Sequence, residues 1–371
     1  MVTTETSRSS ASSVTRTLPF LPSRERMCSC LSWASSDGSI VFDLFPFLTL
    51  SDQTTVMERK TEALCREAAM QAPQVESLRF DDTELHLVPE LGGVIIGYSS
   101  RIGTDHHHWM RPVRLETVVE KGAIASSSYP LVPFSNRIAQ GRFHYDGREI
   151  TLPPDPLLPP HAIHGHGWRA AWEVSERSES TMLLRYRHRA DDWPWAYEAT
   201  QRCGLDAEGL WIEMTLKNLS EQPMPAGLGL HPHFPRTADV RLKAAVAQAH
   251  VADPCLLPIA KRDDHPAIAP LGSGGPLPEG LDLCFEGWDG SAEILWPAEN
   301  RGLRVVAGPE FGHLVIFTPP DEDFFCVEPV SHCVNAVNLE GSEWGVTGLV
   351  HLAPGESVSA SARFQPFYPK I

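Results

Sequence analysis

An all-β fold, a large antiparallel β-sandwich with few short helices, is what this sequence predicts. Three observations carry that reading: apolar–polar alternation of period two in segment after segment, turn residues between the segments, and no long helical periodicity beyond residue 70. Thr83–Val88 puts Leu85 and Leu87 on one face and Glu84 and His86 on the other. Residues 210–217 and 357–364 alternate in the same way. Residues 142–152 read as a hairpin, because Asp146-Gly147 suits the positive φ angles of a type I′ turn. Further short strands are expected at 92–99, 171–175, 182–188, 196–202, 292–296, 303–307, 313–318 and 324–327. The 32 prolines and 27 glycines suit a chain of edges and turns. No βαβ alternation and no fixed repeat is present, which excludes doubly wound folds and propellers. The stretch 254–280 reads as an irregular surface excursion, and His106-His107-His108 as a polar loop.

The 371 residues divide by composition. Residues 1–75 are expected to be a poorly structured amino-terminal extension: the first 36 are rich in Ser, Thr and Arg and too poor in apolar residues to offset the entropy of ordering. The apolar run 40–50 is interrupted by Asp43 and Pro46, and lies too far in for an ordinary export signal. Met57, just ahead of a helix expected over 61–70, is an alternative start. Residues 76–371 are expected to form one domain. A formal charge of −16 argues against nucleic acid or an anionic membrane as partner, and no run of 18 apolar residues occurs. The 8 cysteines lack the paired spacing of a zinc site and read as reduced, mostly buried thiols, which points to the cytoplasm.

Chemistry-bearing residues gather in four places. The stretch from Tyr129 to Trp172 combines Asn136-Arg137, His161, His164 and His166 with glycines and the two tryptophans Trp168 and Trp172. Arginine offers a rigid fork of donors and tryptophan a flat apolar wall, a pairing that suits a neutral polar ligand. Asn136-Arg137 alone equally suits a surface turn whose arginine meets one of the many acids. In an extended segment His164 and His166 would share a face with His161 opposite, and the next carboxylate, Glu173, lies seven residues beyond His166. A metal or cupin-type site is therefore disfavoured. His231 is stiffened by Pro232, and could be a proton donor or a capped strand end. Glu328 follows four apolar residues and precedes Pro329, so lost hydration should raise its pKa, although an ion pair with an arginine would also suit it.

Taken together, Asn136-Arg137-Ile-Ala-x-Gly-x-Phe143, His164-Gly165 with Trp168 and Trp172, His231-Pro-x-Phe234, Leu281-Asp282-x-x-Phe285 and Glu328-Pro329 followed by Asn335-Ala resemble the aldose 1-epimerase (galactose mutarotase) family. The likeness runs from Ser77 to the end of the chain. It implies a galactose mutarotase-like supersandwich and a cofactor- and metal-independent isomerase of carbohydrate metabolism, acting on a free aldohexose as a monomer or homodimer. By position Glu328 matches the general base and His231 the general acid. His164 and Arg137 match supporting groups, Asp282 a carboxylate holding hydroxyls, and Asn136 and Trp168 further sugar contacts. His233 departs from the pattern, standing where relatives often carry tyrosine, and His161 and His166 make the histidine cluster richer than usual. Two alternatives stay open. A hexose-6-phosphate 1-epimerase would need basic groups such as Arg101, Arg111 or Arg114 at the rim. A non-catalytic carbohydrate-binding β-sandwich would have no use for a His231/Glu328 pair.

Overall fold

The computed structural model describes residues 73–156 and 158–369. The extension, apart from residues 73–75, and the helix expected over 61–70 therefore lie outside the described residues, as do Cys28, Cys30 and Cys65. Strands dominate, and the described α-helices are short: Leu115–Lys121, Ile268–Ser273 and Ala336–Leu339. No described helix is long and apolar enough to cross a membrane.

Two eight-stranded antiparallel sheets form the body. The first runs, in spatial order, through Glu173–Arg177, Thr181–His188, Tyr197–Asp206, Gly209–Asn218, Ser357–Phe367, Arg301–Ala307, Ser291–Trp296 and Arg241–Ala244. The second runs through Pro258–Arg262, Gln248–Ala252, Asp282–Glu286, His313–Phe317, Phe324–Val330, Gly229–Leu230 and Pro130–Leu131, with His233–Pro235 also paired to Phe324–Val330. A four-stranded sheet, Glu76–Phe80 to Asp105–His108, flanks them. The expected alternation holds in both large sheets. Leu210, Ile212, Met214 and Leu216 join Ala360, Ala362 and Phe364 from the neighbouring strand in one buried cluster with Phe285, Leu314, Ile316, Phe325 and Val327 of the second sheet. Each such Leu, Ile or Phe withdraws apolar surface worth about 1.5–3 kcal/mol from water. Deleting one large ring, as in Phe325→Ala, leaves a cavity that costs about 3–5 kcal/mol.

Side chains of the second sheet that face away from this core define the other half of the molecule. Along Phe324–Val330, Phe325 and Val327 enter the core, while Phe324 and Glu328 line a cleft on the opposite face. The same parity sends Phe285 inward and Asp282 to the cleft. A second apolar cluster, including Tyr129, Leu131, Ile163, Trp168, Cys284, Val315 and Val330, covers that face.

Two expectations need correction. Residues 254–280 are not irregular throughout: they contain the edge strand Pro258–Arg262 and the helix Ile268–Ser273, whose Leu271 is fully buried. His106-His107-His108 belongs to the strand Asp105–His108, where His106 Nε2 meets Ser99 Oγ at 2.9 Å. At the two strands, pairing overrides a polar or Pro/Gly-rich local sequence. The Asp146-Gly147 hairpin is as expected, with φ of 49° and 73°.

Candidate functional site

Asn136 and His164 are non-glycine residues held at positive φ, 58° and 60°. Such conformations are uncommon and persist where surrounding contacts impose them. Here the contacts interlock. The Asn136 N–H donates to His164 Nδ1 at 3.0 Å, and the His164 N–H donates back to the Asn136 carbonyl at 3.0 Å. Because Nδ1 accepts, the neutral ring carries its proton on Nε2. Asn136 Oδ1 receives Arg137 Nη1 at 3.1 Å, and Arg137 Nη2 reaches Asp282 Oδ2 at 3.3 Å. Gly165 follows at φ 66°, and a Cβ there would sit 2.1 Å from the Val132 carbonyl oxygen, so only glycine fits.

One cleft of about 350 Å³ gathers all seven site residues singled out by the sequence: Asn136, Arg137, His164, Trp168, His231, Asp282 and Glu328. Glu328 comes from the strand Phe324–Val330 and His231 from the two-residue link between Gly229–Leu230 and His233–Pro235; they meet directly, Nε2 to Oε1, at 3.3 Å. His231 Nδ1 and Glu328 Oε2 are buried without a hydrogen-bond partner. Tyr129 stacks on the His231 ring at 4.4 Å and on Trp168 at 5.4 Å, fixing the imidazole plane.

Burial governs the electrostatics. It pushes the Glu328 carboxyl well above the usual range; nearby Asp282 adds to that shift and Arg137 opposes it. The same desolvation lowers His231 to about 3 and His164 well below its ordinary value. Both shifts disfavour the charged forms, so burial favours a neutral carboxyl beside a neutral imidazole. For the general-acid role expected of His231, burial works against a charged ring at rest, because a buried imidazolium loses its hydration.

Other sequence expectations fare unevenly. His161, His164 and His166 do not converge. The left-handed turn at His164 breaks the alternation, so His161 Nδ1 accepts from the Gln140 N–H while His166 stacks on His188 at 4.5 Å. Trp172 is a core residue: its Nε1 donates to the Gly167 carbonyl at 2.8 Å and its ring packs over Gly93. Tyr129, Asp155, His233 and Phe324 also line the cleft, although none of them was assigned a site role from the sequence. For His233 the period-two offset from His231 was the available signal. Of the arginines considered for the rim, Arg101 borders a different cavity and Arg114 is exposed ahead of helix Leu115–Lys121. Arg111 lies over Phe324 and meets Asp323 at 3.3 Å. Four of the five described cysteines are buried; Cys255 is exposed.

Two sets of described side chains could bring metal-ligating atoms within 4.8 Å of one another: His231/His233/Cys326 and His250/Glu286/His313. In the first, burial drives the Cys326 thiol well above its ordinary pKa, and His231 Nε2 already faces Glu328.

Comparison with known proteins agrees with this architecture. The family model for aldose 1-epimerase matches residues 80–365. An uncharacterized Escherichia coli (strain K12) protein, YphB, is 30% identical over 284 residues, covering 74% of this chain and 92% of that protein. A crystal structure of a candidate aldose 1-epimerase from Escherichia coli K12 superposes with TM-score 0.72 at 27% identity, covering 80% of this chain and 100% of the other. A galactose mutarotase-like protein from Clostridium acetobutylicum gives TM-score 0.70 at 17% identity, covering 80% and 99%, which speaks for the fold alone. The fold is the galactose mutarotase-like β-sandwich, and the chain belongs to the aldose 1-epimerase family.

Proposed function

We propose that the protein is an aldose 1-epimerase that interconverts the α and β anomers of a free aldohexose, with Glu328 and His231 as its proton-transfer pair. The carrying observation is their 3.3 Å contact on the wall of a sugar-sized cleft. Ring opening removes a proton from the C1 hydroxyl and delivers one to the ring oxygen. Both oxygens are bonded to C1, so the acid and the base must stand close together. One proton shared between a carboxyl and an imidazole suffices. Transfer along the contact from Glu328 to His231 yields a carboxylate that takes the C1 hydroxyl proton and an imidazolium that protonates the ring oxygen. After rotation about C1–C2, closure from the other face exchanges the roles and restores the pair.

The surrounding groups suit the same substrate. His164 offers an Nε2–H donor, Arg137 and Asp282 offer a positioned guanidinium and carboxylate, and Trp168 with Tyr129 forms an aromatic wall for C–H groups. Arginines at the cleft meet carboxylates, Arg137 with Asp282 and Arg111 with Asp323, and Arg169 behind Trp168 meets Asp155 at 2.5 Å. Such matched charge favours a neutral sugar over a hexose 6-phosphate. Polarimetry of freshly dissolved α-glucose and α-galactose tests the reading, with glucose 6-phosphate alongside. Wild-type protein should accelerate the approach to anomeric equilibrium for a free sugar, and Glu328→Gln should lower kcat about 10²–10⁴-fold while still binding sugar. Saturable sugar binding by the wild type without any acceleration would instead mark a binding module.

A further inference from the structure

His250, Glu286 and His313 lie on the same face of the second sheet as the cleft, but towards its other end. Glu286 is four residues along its strand from Asp282, or ~13 Å. Register brings the three together. Glu286 lies directly opposite His313 on one side and Gln248 on the other, and His250 shares the face of Gln248. We propose that these three side chains form a binding site for a first-row divalent cation, separate from the sugar cleft.

Two imidazoles and one carboxylate are a ligand set suited to zinc, iron, cobalt or nickel. Their donor atoms fall within 4.8 Å of one another, and His250 Nε2 already stands 3.1 Å from Glu286 Oε2. His313 is oriented as a ligand would be. Its Nδ1–H donates to the Ser331 carbonyl at 3.3 Å, leaving the Nε2 lone pair free. Gly348 packs against the His313 ring edge, where a Cβ would come within 3.0 Å of Cε1. Access exists as well. A cavity of about 520 Å³, bordered by Glu286, His313, Lys261 and Trp344, leaves room for water to complete the coordination sphere. A positive charge already occupies part of this position. Lys261 Nζ lies 2.6 Å from Glu286 Oε2, reaching in from the edge strand Pro258–Arg262. The ammonium acts as a stand-in for the cation and competes with it, so metal binding displaces Lys261 from the carboxylate.

The test uses the purified full-length protein, chelator-treated and then titrated with Co²⁺ by visible absorption and with Zn²⁺ by calorimetry. Wild type should bind about one equivalent of metal. His313→Ala should weaken binding at least about 100-fold, as expected for loss of a direct ligand. Lys261→Met, which removes the competitor and keeps its volume, should tighten binding about tenfold or more. Circular dichroism and thermal unfolding verify that each variant is folded. Absence of saturable binding in both the wild type and Lys261→Met overturns the proposal, as does unchanged affinity in a folded His313→Ala. Should His313→Ala fail to fold, Glu286→Gln takes its place with the same two outcomes.

Discussion

Glu328 is where one side chain carries the largest consequence. Its carboxyl is fully buried and raised well above the usual range, whereas an unfolded chain would ionise it near 4.5. Between those two values the folded state holds a proton that the unfolded state has released, so stability falls as pH rises through that window. Glu328→Gln removes this loss. Its melting temperature should therefore equal or exceed that of wild type at pH 8, even as catalysis collapses, and calorimetry of the two proteins checks it. Activity should show the shared proton directly. Because His231 is lowered to about 3, the acid limb of the kcat profile should lie below pH 5 rather than near an ordinary histidine pKa of 6.5. A polarimetric pH series with a limb at 6.5 would contradict that assignment. Glu328 and His231 were legible in the sequence because each is followed by proline, Glu328 on a strand and His231 just past a strand end, in segments that resemble the family's motifs. The location of their common proton was not, since it depends on burial supplied by Tyr129 and by distant strands.

Elements explain why the cleft is precise. The Asn136–Arg137 turn is pinned from two sides, by His164 and by Asn335, whose Oδ1 accepts the Ala139 N–H at 3.0 Å and whose N–H donates to the Arg137 carbonyl at 2.9 Å. Asn335→Ala should cost about 1 kcal/mol in urea unfolding and raise KM for sugar more than it lowers kcat, since it loosens Arg137 without touching the proton pair. Gly165→Ala is a harsher change. With φ at 66° and a carbonyl oxygen 2.1 Å from the new methyl, it should destabilise by more than about 2 kcal/mol, measured by the same unfolding. Sequence periodicity located most strands well, as at Thr83–Val88, because alternation reports which face is buried. It failed at His161–His166, where two successive left-handed residues break the parity on which an extended reading rests. It also missed the helix Ile268–Ser273, too short for a helical period to register.

At the scale of the whole molecule, the buried histidines form a shared acid liability. His166 and His313 are each lowered to about 4, His231 to about 3, and His164, His233 and His332 are also lowered, all chiefly by desolvation. A depressed histidine stays neutral in the fold while the unfolded chain takes up a proton, so its stabilisation is full above about 6.5 and drains away as pH falls towards the folded values. The melting temperature should therefore drop by more than about 5 °C between pH 7 and pH 5, a shift that calorimetry in matched ionic strength would record. A flat profile would mean that these rings are hydrated. The sandwich itself was legible from alternation, the turn residues between segments and the lack of helical periodicity; the division of the second sheet into a core face and a cleft face was not, because it rests on which loops cover the outer side.

The central claim is that Glu328 and His231 act as one unit through a single proton. The most direct measurement is the mutarotation rate of Glu328→Gln, of His231→Asn and of the double variant, at a sugar concentration where binding is saturated. A shared proton predicts that each single change costs about 10²–10⁴-fold and that the double variant is scarcely slower than either. Losses that multiply in the double variant, or a single variant that retains near-normal rates, would contradict it.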